Sequence, residues 1–496
     1  MGLIARQTIK GSVASYVGVG LGTFTLLFLF PAFLSQEQIG LLRIVTNAAG
    51  MFSTLAVLGI PQISVKYLPY VQQGDDYRAY ATLLYIVPLV GVLLCYLIFL
   101  AFKQPITDFY SQNAKELTRY YYLVWSITLL NTLYLAAASY ARMNNRIVVP
   151  SAIKDVGIRV LTILFFLGIV VKWFDFDHFL NLQIAIYGLA LLGVFWYNHR
   201  LAPFRPLFQF WRLKPHLKGV ASFGLFSVLT STASILVTTI DSLMIGGMIN
   251  LGNAGIYVIA SYIGLVIEMP KRSLNAIAGP VLSESWKHQN IEKINELHAR
   301  SSINQLLFGG SMLLLIWAGI DGIFYIMPNG ETYSAGKWVV LFIGLAKLTD
   351  LAFGLTAEII SFSPKYRYNL YLLLLLAGIA VVTNYFLIPL YGITGAGLAT
   401  FISYLVYNLL SYYLMKRDYG ITPFNTSSAK ALMLLVFVFI LVHFISIDIP
   451  VVLLSLLKVI LAAVLLFIGI IYYRLSPDLS LLVKSSADIL KNFIKK

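Results

Sequence analysis

The chain has 496 residues, of which 59% are hydrophobic and only 11% are charged, and its formal net charge is +15 at pH 7. A soluble globular protein carries about 25% charged residues, so this composition excludes an ordinary soluble protein. The single cysteine, Cys95, excludes a disulfide within one chain. The composition therefore predicts an all-α integral membrane protein.

Long apolar segments follow one another along the whole chain. A helix needs about 20 apolar residues to cross the hydrocarbon core of a bilayer, and fourteen segments qualify. Their predicted limits are 11–33, 41–65, 80–102, 119–141, 152–172, 178–198, 219–247, 254–275, 303–327, 336–361, 368–389, 394–415, 429–447 and 450–473.

The distribution of positive charge gives these spans an orientation. With both termini in the cytoplasm, most of the 36 lysines and arginines fall on cytoplasmic segments, as expected for a multi-pass membrane protein. The opposite side then holds only Lys103, Lys115, Arg119, Lys172 and Lys337. A miscounted span would invert every later loop and destroy this asymmetry, so the charge supports fourteen spans with both ends inside.

The spans are arranged as an internal repeat. A long basic connection at 197–219 follows the sixth span, and the segments at 33–45 and 248–260 occupy the same place in each half. Aligning Gly40 with Gly255 gives an offset of 215 residues. We therefore predict two six-helix bundles, 1–206 and 207–418, related by a pseudo-two-fold axis along the membrane normal, with a site between them.

The last part of the chain lies outside the repeat. Two further transmembrane helices are predicted within 428–474, and the tail at 475–496 has the pattern of an amphipathic helix on the cytoplasmic membrane surface.

Polar residues recur at helical spacing on three of the predicted spans. They are Arg43 and Asn47 on span two, Ser227, Ser231, Ser234, Thr238 and Asp241 on span seven, and Ser261, Glu268 and Arg272 on span eight. Small hydroxyl residues are also common where membrane helices pack closely. The ionisable members are costly inside a bilayer, so we interpret the stripes as the lining of a hydrated, substrate-binding cavity.

The charged members of the stripes suggest two gates. Arg43 and Asp241 lie near the outer ends of their spans, whereas Lys66 and Glu268 lie near the inner ends. An Arg43–Asp241 pair would close the outside and a Lys66–Glu268 pair the inside. The alternative is that each side chain extends to its nearest interface.

Other intramembrane charges have partners on their own span. Asp155 and Arg159 are spaced i,i+4 and Lys347 and Asp350 are spaced i,i+3, which favours self-paired charges. Lys458 has no acidic neighbour on its span, so it is expected to reach the interface or a lipid phosphate. No phosphate-binding glycine loop and no metal-binding motif is present in the sequence, so we expect no cofactor; a coupling Na⁺ or H⁺ stays open.

Two segments resemble a known family. The segment "NYFLIPLYGITGAGLATFIS" at 384–403 and the segment "DSLMIGGMINLGNAGIYVIAS" at 241–261, together with the span layout, resemble the polysaccharide-exporter branch of the multidrug/oligosaccharidyl-lipid/polysaccharide exporter superfamily, which contains O-antigen and capsule-repeat flippases. The resemblance implies a V-shaped pair of bundles around a cavity lined by spans one, two, seven and eight.

The resemblance also implies a function. Members move lipid-linked sugars, typically on undecaprenyl pyrophosphate, across the bacterial cytoplasmic membrane by alternating access, and they work beside polysaccharide assembly machinery. Cavity arginines bind the pyrophosphate in relatives, which by location suggests Arg43 and Arg272 here. The first span departs from this pattern because it carries no charge.

The sequence is also compatible with two other functions. A cation-coupled multidrug or metabolite exporter of the same superfamily would use carboxylates such as Asp241, Glu268, Asp350 or Glu358. A membrane-embedded glycosyltransferase, ligase or polymerase would need a large outer loop with clustered catalytic residues, and the outer loop with His178 is short.

Overall fold

The computed structural model of the chain describes residues 16–71 and 74–476, and these residues form helices and no strand. The predicted all-α membrane fold is confirmed. The predicted amphipathic tail lies outside the described residues, except for Leu475 and Ser476, which are buried.

The helices divide between two compact units, Met1–Val258 and Ile259–Lys496. The first unit contains α1 (Tyr16–Phe33), α2 (Gln36–Ala56), α3 (Ile60–Lys66), α4 (Gly74–Ser111), α5 (Lys115–Arg119), α6 (Tyr121–Met143), α7 (Val148–Ala152), α8 (Ile158–Val170), α9 (Phe176–Leu201), α10 (Lys214–Met248) and most of α11 (Leu251–Leu265).

The second unit begins in the last turns of α11. It contains α12 (Met269–Lys287), α13 (Ile291–Ile326), α14 (Gly330–Tyr333), α15 (Lys337–Ala352), α16 (Thr356–Phe362), α17 (Arg367–Tyr419), α18 (Thr426–His443) and α19 (Val451–Tyr472). The division into units falls inside α11, whereas the predicted boundary at 206/207 follows the internal repeat and stays a prediction.

Local sequence explains where several helices begin. Ser35 and Gln38 form a capping box at the start of α2, in which each side chain accepts a hydrogen bond from the other residue's backbone N–H. Asn425 and Ser428 form the same motif at the start of α18. Asp175 caps α9 by accepting from the His178 N–H. These caps satisfy backbone donors that have no partner within the helix.

The assigned helix α17 consists of two antiparallel helices. Gly392 has φ 58° and ψ −139°, a backbone conformation that glycine adopts most readily. The chain reverses there, because the hydroxyl oxygens of Thr383 and Ser403 lie 3.4 Å apart although the residues are 20 positions apart. The turn predicted between spans eleven and twelve is therefore present.

Fewer helices than the predicted fourteen are long and apolar enough to cross a membrane. Eleven helices of the described residues are long and apolar enough to cross a membrane, or twelve if the pair Gly330–Ala352 and Thr356–Phe362, bent by 50°, is one span. Two features account for the difference between twelve and the predicted fourteen. The α17 hairpin counts once, and the run from α7 to α8, interrupted by the π-helical segment Ile153–Gly157, carries three charged residues.

Each unit has its own helix packing. In the first unit, α2 packs against both α6 and α10, and α9 packs against α6. In the second unit, α13 packs against α15, α18 and α19. The two helices outside the predicted repeat, α18 and α19, thus cover α13 through an apolar cluster that includes Leu307, Leu435 and Leu466.

Candidate functional site

The starts of α2 and α11 cross in very close contact within the first unit. A Cβ atom built on Gly40 would lie 1.9 Å from the backbone carbonyl oxygen of Leu251. A Cβ built on Gly255 would lie 2.1 Å from the carbonyl oxygen of Gln36. Only glycine permits such an approach of two helix backbones, as at other close crossings of membrane helices.

The contacts at this crossing are reciprocal in the internal repeat. Leu251 and Gly255 follow Gln36 and Gly40 by the same offset of 215 residues. Gly40 contacts Leu251, and Gly255 contacts Gln36. Reciprocal contacts of this kind arise when a two-fold axis passes through an interface. The contacts at the crossing agree with the predicted internal repeat, and the pseudo-two-fold axis along the membrane normal stays a prediction.

Polar side chains follow the crossing on α2 and α11, and several of them contact α10. The Asn47 side chain on α2 donates to the Ser242 hydroxyl on α10 at 3.0 Å. Asp241 is buried and accepts a hydrogen bond from the Tyr257 hydroxyl on α11. Arg43 is half-buried and interacts electrostatically with Tyr187 on α9. The predicted outer gate thus contains a polar network, and direct Arg43–Asp241 pairing stays a prediction.

The other polar residues of the α10 stripe have surroundings that differ from those of Asp241. Ser231 accepts a hydrogen bond from the Gln62 amide on α3 at 3.2 Å. The hydroxyls of Ser234 and Thr238 donate to carbonyls of their own helix, and both side chains are exposed. Hydroxyls bonded in this way need no partner from another helix, so this face of α10 can line a cavity without strain.

The second unit contains a compact charge cluster. The Lys347 ammonium lies 2.8 Å from a Glu268 carboxylate oxygen, and the Lys271 ammonium lies 2.5 Å from Asp350. Lys347 also donates to the Tyr404 hydroxyl at 3.0 Å. The Lys347 side chain is 6% exposed and the Glu268 side chain 31%. The cluster is therefore largely shielded from solvent, with Glu268 as its most accessible member.

The cluster lies where two helices are interrupted. Glu268 ends a 3₁₀ segment, Val266–Glu268, between α11 and α12. Lys347 and Asp350 precede the bend between α15 and α16, where Gly354 has φ +60°. Short 3₁₀ segments within helices often mark hinges. The two salt bridges therefore tie one interrupted helix to the other.

The pairing within this cluster differs from the simplest expectation. The spacing of Lys347 and Asp350 predicts a pair on one helix, but each residue binds a partner near the start of α12 instead. Lys271 and Tyr404 were not singled out by the sequence, because their partners are far away along the chain.

The remaining predicted site residues lie in several places. Ser261 is half-buried on α11, whereas the side chain of Arg272 is outside the described part of the structure. The Lys66 ammonium lies 3.7 Å from the centre of the Phe223 ring. Glu268 is paired with Lys347, so a Lys66–Glu268 inner gate would require exchange of partners and stays a prediction.

Three further predicted charges lie on segments that contribute to neither the polar network nor the charge cluster. Arg159 on α8 reaches α1, where a Cβ on Gly18 would lie 2.9 Å from its guanidinium. Asp155 lies in the π-helical segment, which alters the i,i+4 register that predicted its pairing with Arg159. Lys458 is half-buried on α19.

Comparison with protein families gives a match over more than half of the chain. A family model described as "Polysaccharide biosynthesis protein" matches residues 6–286. No curated protein matches the chain.

Comparison with solved structures shows the fold. The chain is similar to the lipid II flippase MurJ in an inward closed conformation, with a TM-score of 0.69, 13% identity, and coverage of 94% of this chain and 99% of that one. It is also similar to a mutant of the MATE transporter VcmN from Vibrio cholerae, with a TM-score of 0.53, 13% identity, and coverage of 84% and 98%. A multidrug MATE transporter of the MOP superfamily in an inward-facing conformation gives a TM-score of 0.53 at 14% identity, with coverage of 82% and 94%.

Proposed function

Because the chain belongs to the polysaccharide biosynthesis protein family, we propose that it is a flippase that moves a lipid-linked oligosaccharide across the cytoplasmic membrane of a bacterium by alternating access. The cargo is a polysaccharide repeat unit, such as an O-antigen unit, on undecaprenyl pyrophosphate. Both termini face the cytoplasm, and the protein supplies polysaccharide assembly machinery on the other side. It is a transporter and not an enzyme.

The observation that carries this proposal is the crossing at Gly40 and Gly255 with the polar network beside it. A transporter that opens alternately to two sides needs contacts that close one end and can separate. The crossing is tight but small, and the Asn47–Ser242 and Tyr257–Asp241 hydrogen bonds lie next to it. The exposed Ser234 and Thr238 side chains continue the polar face toward the cytoplasmic end of α10 in the predicted orientation.

The fold and the charges favour a flippase over a cation-coupled exporter. The TM-score with the lipid II flippase MurJ is 0.69, against 0.53 with the MATE transporter VcmN. In an exporter, a carboxylate must be available to bind and release a cation. Here Glu268 and Asp350 each lie against a lysine ammonium, which would compete with that cation.

The geometry also disfavours a glycosyltransferase, ligase or polymerase. His178 and Asp175 pair through Nδ1 and a carboxylate oxygen at 2.7 Å, and the same carboxylate caps α9. These residues therefore serve the start of a helix, although their residue types are common in catalytic sites.

We expect substitution of the proposed cavity arginines to reduce transport more than substitution of the intramembrane carboxylates. A pyrophosphate needs cations held in a low-dielectric cavity, and arginine binds phosphate oxygens in a fork. Arg43→Gln and Arg272→Gln should each strongly reduce surface polysaccharide in a flippase-deficient strain, and Arg43→Lys should restore only part of it. Lys458→Gln, which also removes a half-buried membrane cation, is the matched control.

The same assay distinguishes the alternative function. A cation-coupled exporter would depend on Asp241, Glu268 or Asp350 and tolerate the loss of arginine. Full activity of the Arg43→Gln/Arg272→Gln double variant, at matched expression, would exclude the pyrophosphate-binding role of both arginines.

A further inference from the structure

The first unit contains an apolar cavity of about 360 Å³ that the proposed transport cycle does not use. Its walls come from α2, α4, α6 and α10, and they include Met51, Phe102, Trp125 and Leu243. Among the described residues, no charged side chain lines it. An apolar protein cavity of roughly 150 Å³ already stays dry and binds small hydrocarbons, so a cavity of this size suits a hydrocarbon chain.

The cavity lies next to a surface that faces lipid. Phe102 and Phe109 on α4 are 59% and 44% exposed although they line the cavity. Leu93, Leu97 and Ile98, earlier on the same helix, are also among the most exposed apolar residues of the first unit. An exposed apolar face of this kind on a long membrane-spanning helix is in contact with acyl chains. A chain from the surrounding bilayer therefore has access to the cavity.

One residue that lines the cavity, Tyr121, carries a polar hydroxyl group. Although the Tyr121 residue lines the cavity, its hydroxyl oxygen has almost no accessible surface and bonds to no other group in the described part of the chain. A buried hydroxyl normally has a partner, because leaving it unbonded is unfavourable. The ester carbonyl of a phospholipid accepts a hydrogen bond, whereas an isoprenoid chain has no acceptor.

Positive charge flanks the same segment. Lys103 follows Phe102, and Lys115 lies two residues before Leu117, another lining residue. Both lysines are exposed, and basic residues near a membrane interface attract lipid phosphates. Asp108 and Glu116 are also exposed in this segment, so its charge is mixed rather than uniformly positive.

From these observations we propose that the cavity binds one acyl chain of a bilayer phospholipid, and that the Tyr121 side chain turns on binding so that its hydroxyl donates a hydrogen bond to the ester carbonyl. Helices α2 and α10 contribute to this site and to the cavity proposed for the transported substrate, but none of the residues proposed to bind the substrate lines this site. The proposal does not depend on the identity of that substrate. The bound chain fills the space between α4, α6 and the α2–α10 pair.

The bound chain is expected to support the arrangement at the crossing. Tyr110 on α4 donates to the Leu243 carbonyl oxygen of α10 at 3.1 Å, and Asn113 donates to that of Gly247 at 2.8 Å. Both Tyr110 and Leu243 line the cavity. Filling it with an acyl chain therefore adds packing directly beside the hydrogen bonds that hold the end of α4 and the residues after it to α10.

Photo-crosslinking of the full-length protein tests the proposal. The protein is placed in nanodiscs of phosphatidylglycerol that contain a small fraction of the same lipid with a diazirine in its acyl chain. We expect the label to concentrate at Ile106 and Leu243, above the level at the lipid-facing Leu97. Equal labelling of cavity and lipid-facing positions would overturn the proposal.

Two variants make the test specific. Ala48→Phe adds bulk to a cavity wall and should abolish cavity labelling, whereas Ala101→Phe adds the same bulk to an exposed position of α4 and should leave it unchanged. Tyr121→Phe keeps the ring, so it is expected to fold even if Ala48→Phe does not. The Tyr121→Phe variant should reduce labelling of the cavity by a phospholipid with ester-linked chains. Labelling by the corresponding ether-linked lipid, which lacks the carbonyl, should be unchanged.

A second probe distinguishes the occupant. A polyprenyl phosphate with a diazirine in its isoprenoid chain is used in the same nanodiscs. We expect it to label the lipid-facing positions but not the cavity. Cavity labelling by this probe in preference to the phospholipid would contradict the proposed acyl-chain site, and neither result depends on whether the protein transports an oligosaccharide.

Discussion

Replacing Gly40 with alanine should remove most transport activity, and replacing Gly255 should have the same effect. In either variant the new Cβ would lie close to a backbone carbonyl oxygen of the opposing helix, at 1.9 Å and 2.1 Å respectively. Backbone cannot move aside as a flexible side chain can. Overpacking typically costs about 1–3 kcal/mol, which would shift a two-state equilibrium away from the closed crossing by roughly fivefold to 150-fold.

The matched control lies on the same helix. A Cβ on Gly50 would meet no atom within 4 Å, so Gly50→Ala adds the same methyl group without a clash and should leave activity unchanged. The measurement is surface polysaccharide in a flippase-deficient strain, with each variant at equal abundance in the membrane. If Gly40→Ala and Gly255→Ala were as active as Gly50→Ala, the closed crossing would not be part of the cycle.

Lys347→Met should strongly destabilise the second unit. The lysine is buried between Glu268 and Tyr404, and removing one partner of a buried ion pair leaves an uncompensated charge. Such losses cost about 3–5 kcal/mol where both charges are fully buried, and less here because the Glu268 side chain is 31% exposed. Replacing both partners by apolar or neutral groups of similar size is much less harmful. The Glu268→Gln/Lys347→Met double variant should therefore recover a large part of the lost stability.

Thermal unfolding of the detergent-solubilised protein measures this effect. Arg300→Met is the matched control, because Arg300 pairs with Glu296 at 3.3 Å on an exposed helix face. Exposed pairs contribute little to stability, so this variant should unfold at the wild-type temperature. Equal unfolding temperatures for Lys347→Met and Arg300→Met would show that the charge cluster does not hold the second unit together.

Features encoded by neighbouring residues were predicted well from the sequence. The apolar runs gave the fold class, because long uncharged segments are compatible with few structures other than membrane helices. The turn at Gly392 follows from the local conformational freedom of glycine and from the proline three residues earlier, Pro389. The offset between Gly40 and Gly255 marked two segments that the structure brings into contact.

Features that depend on distant contacts were not predicted. The hydrogen bond between Asn47 and Ser242 joins residues 195 positions apart. The spacing of Lys347 and Asp350 suggested one pair on one helix, because sequence spacing carries no information about the neighbouring segment that supplies Glu268 and Lys271. The apolar cavity was not predicted for the same reason, because four helices that are separate in the sequence form its walls.

Movement of a lipid-linked oligosaccharide across a membrane is the activity that we propose for this protein. The most direct measurement uses purified protein in liposomes with a fluorescent undecaprenyl-pyrophosphate-linked oligosaccharide in the inner leaflet. Its arrival in the outer leaflet is followed with a membrane-impermeant quencher. We predict time-dependent translocation by the wild type, and its loss in Gly40→Ala but not in Gly50→Ala. Export of a cationic dye by the same preparation, without any movement of the lipid-linked sugar, would contradict the account.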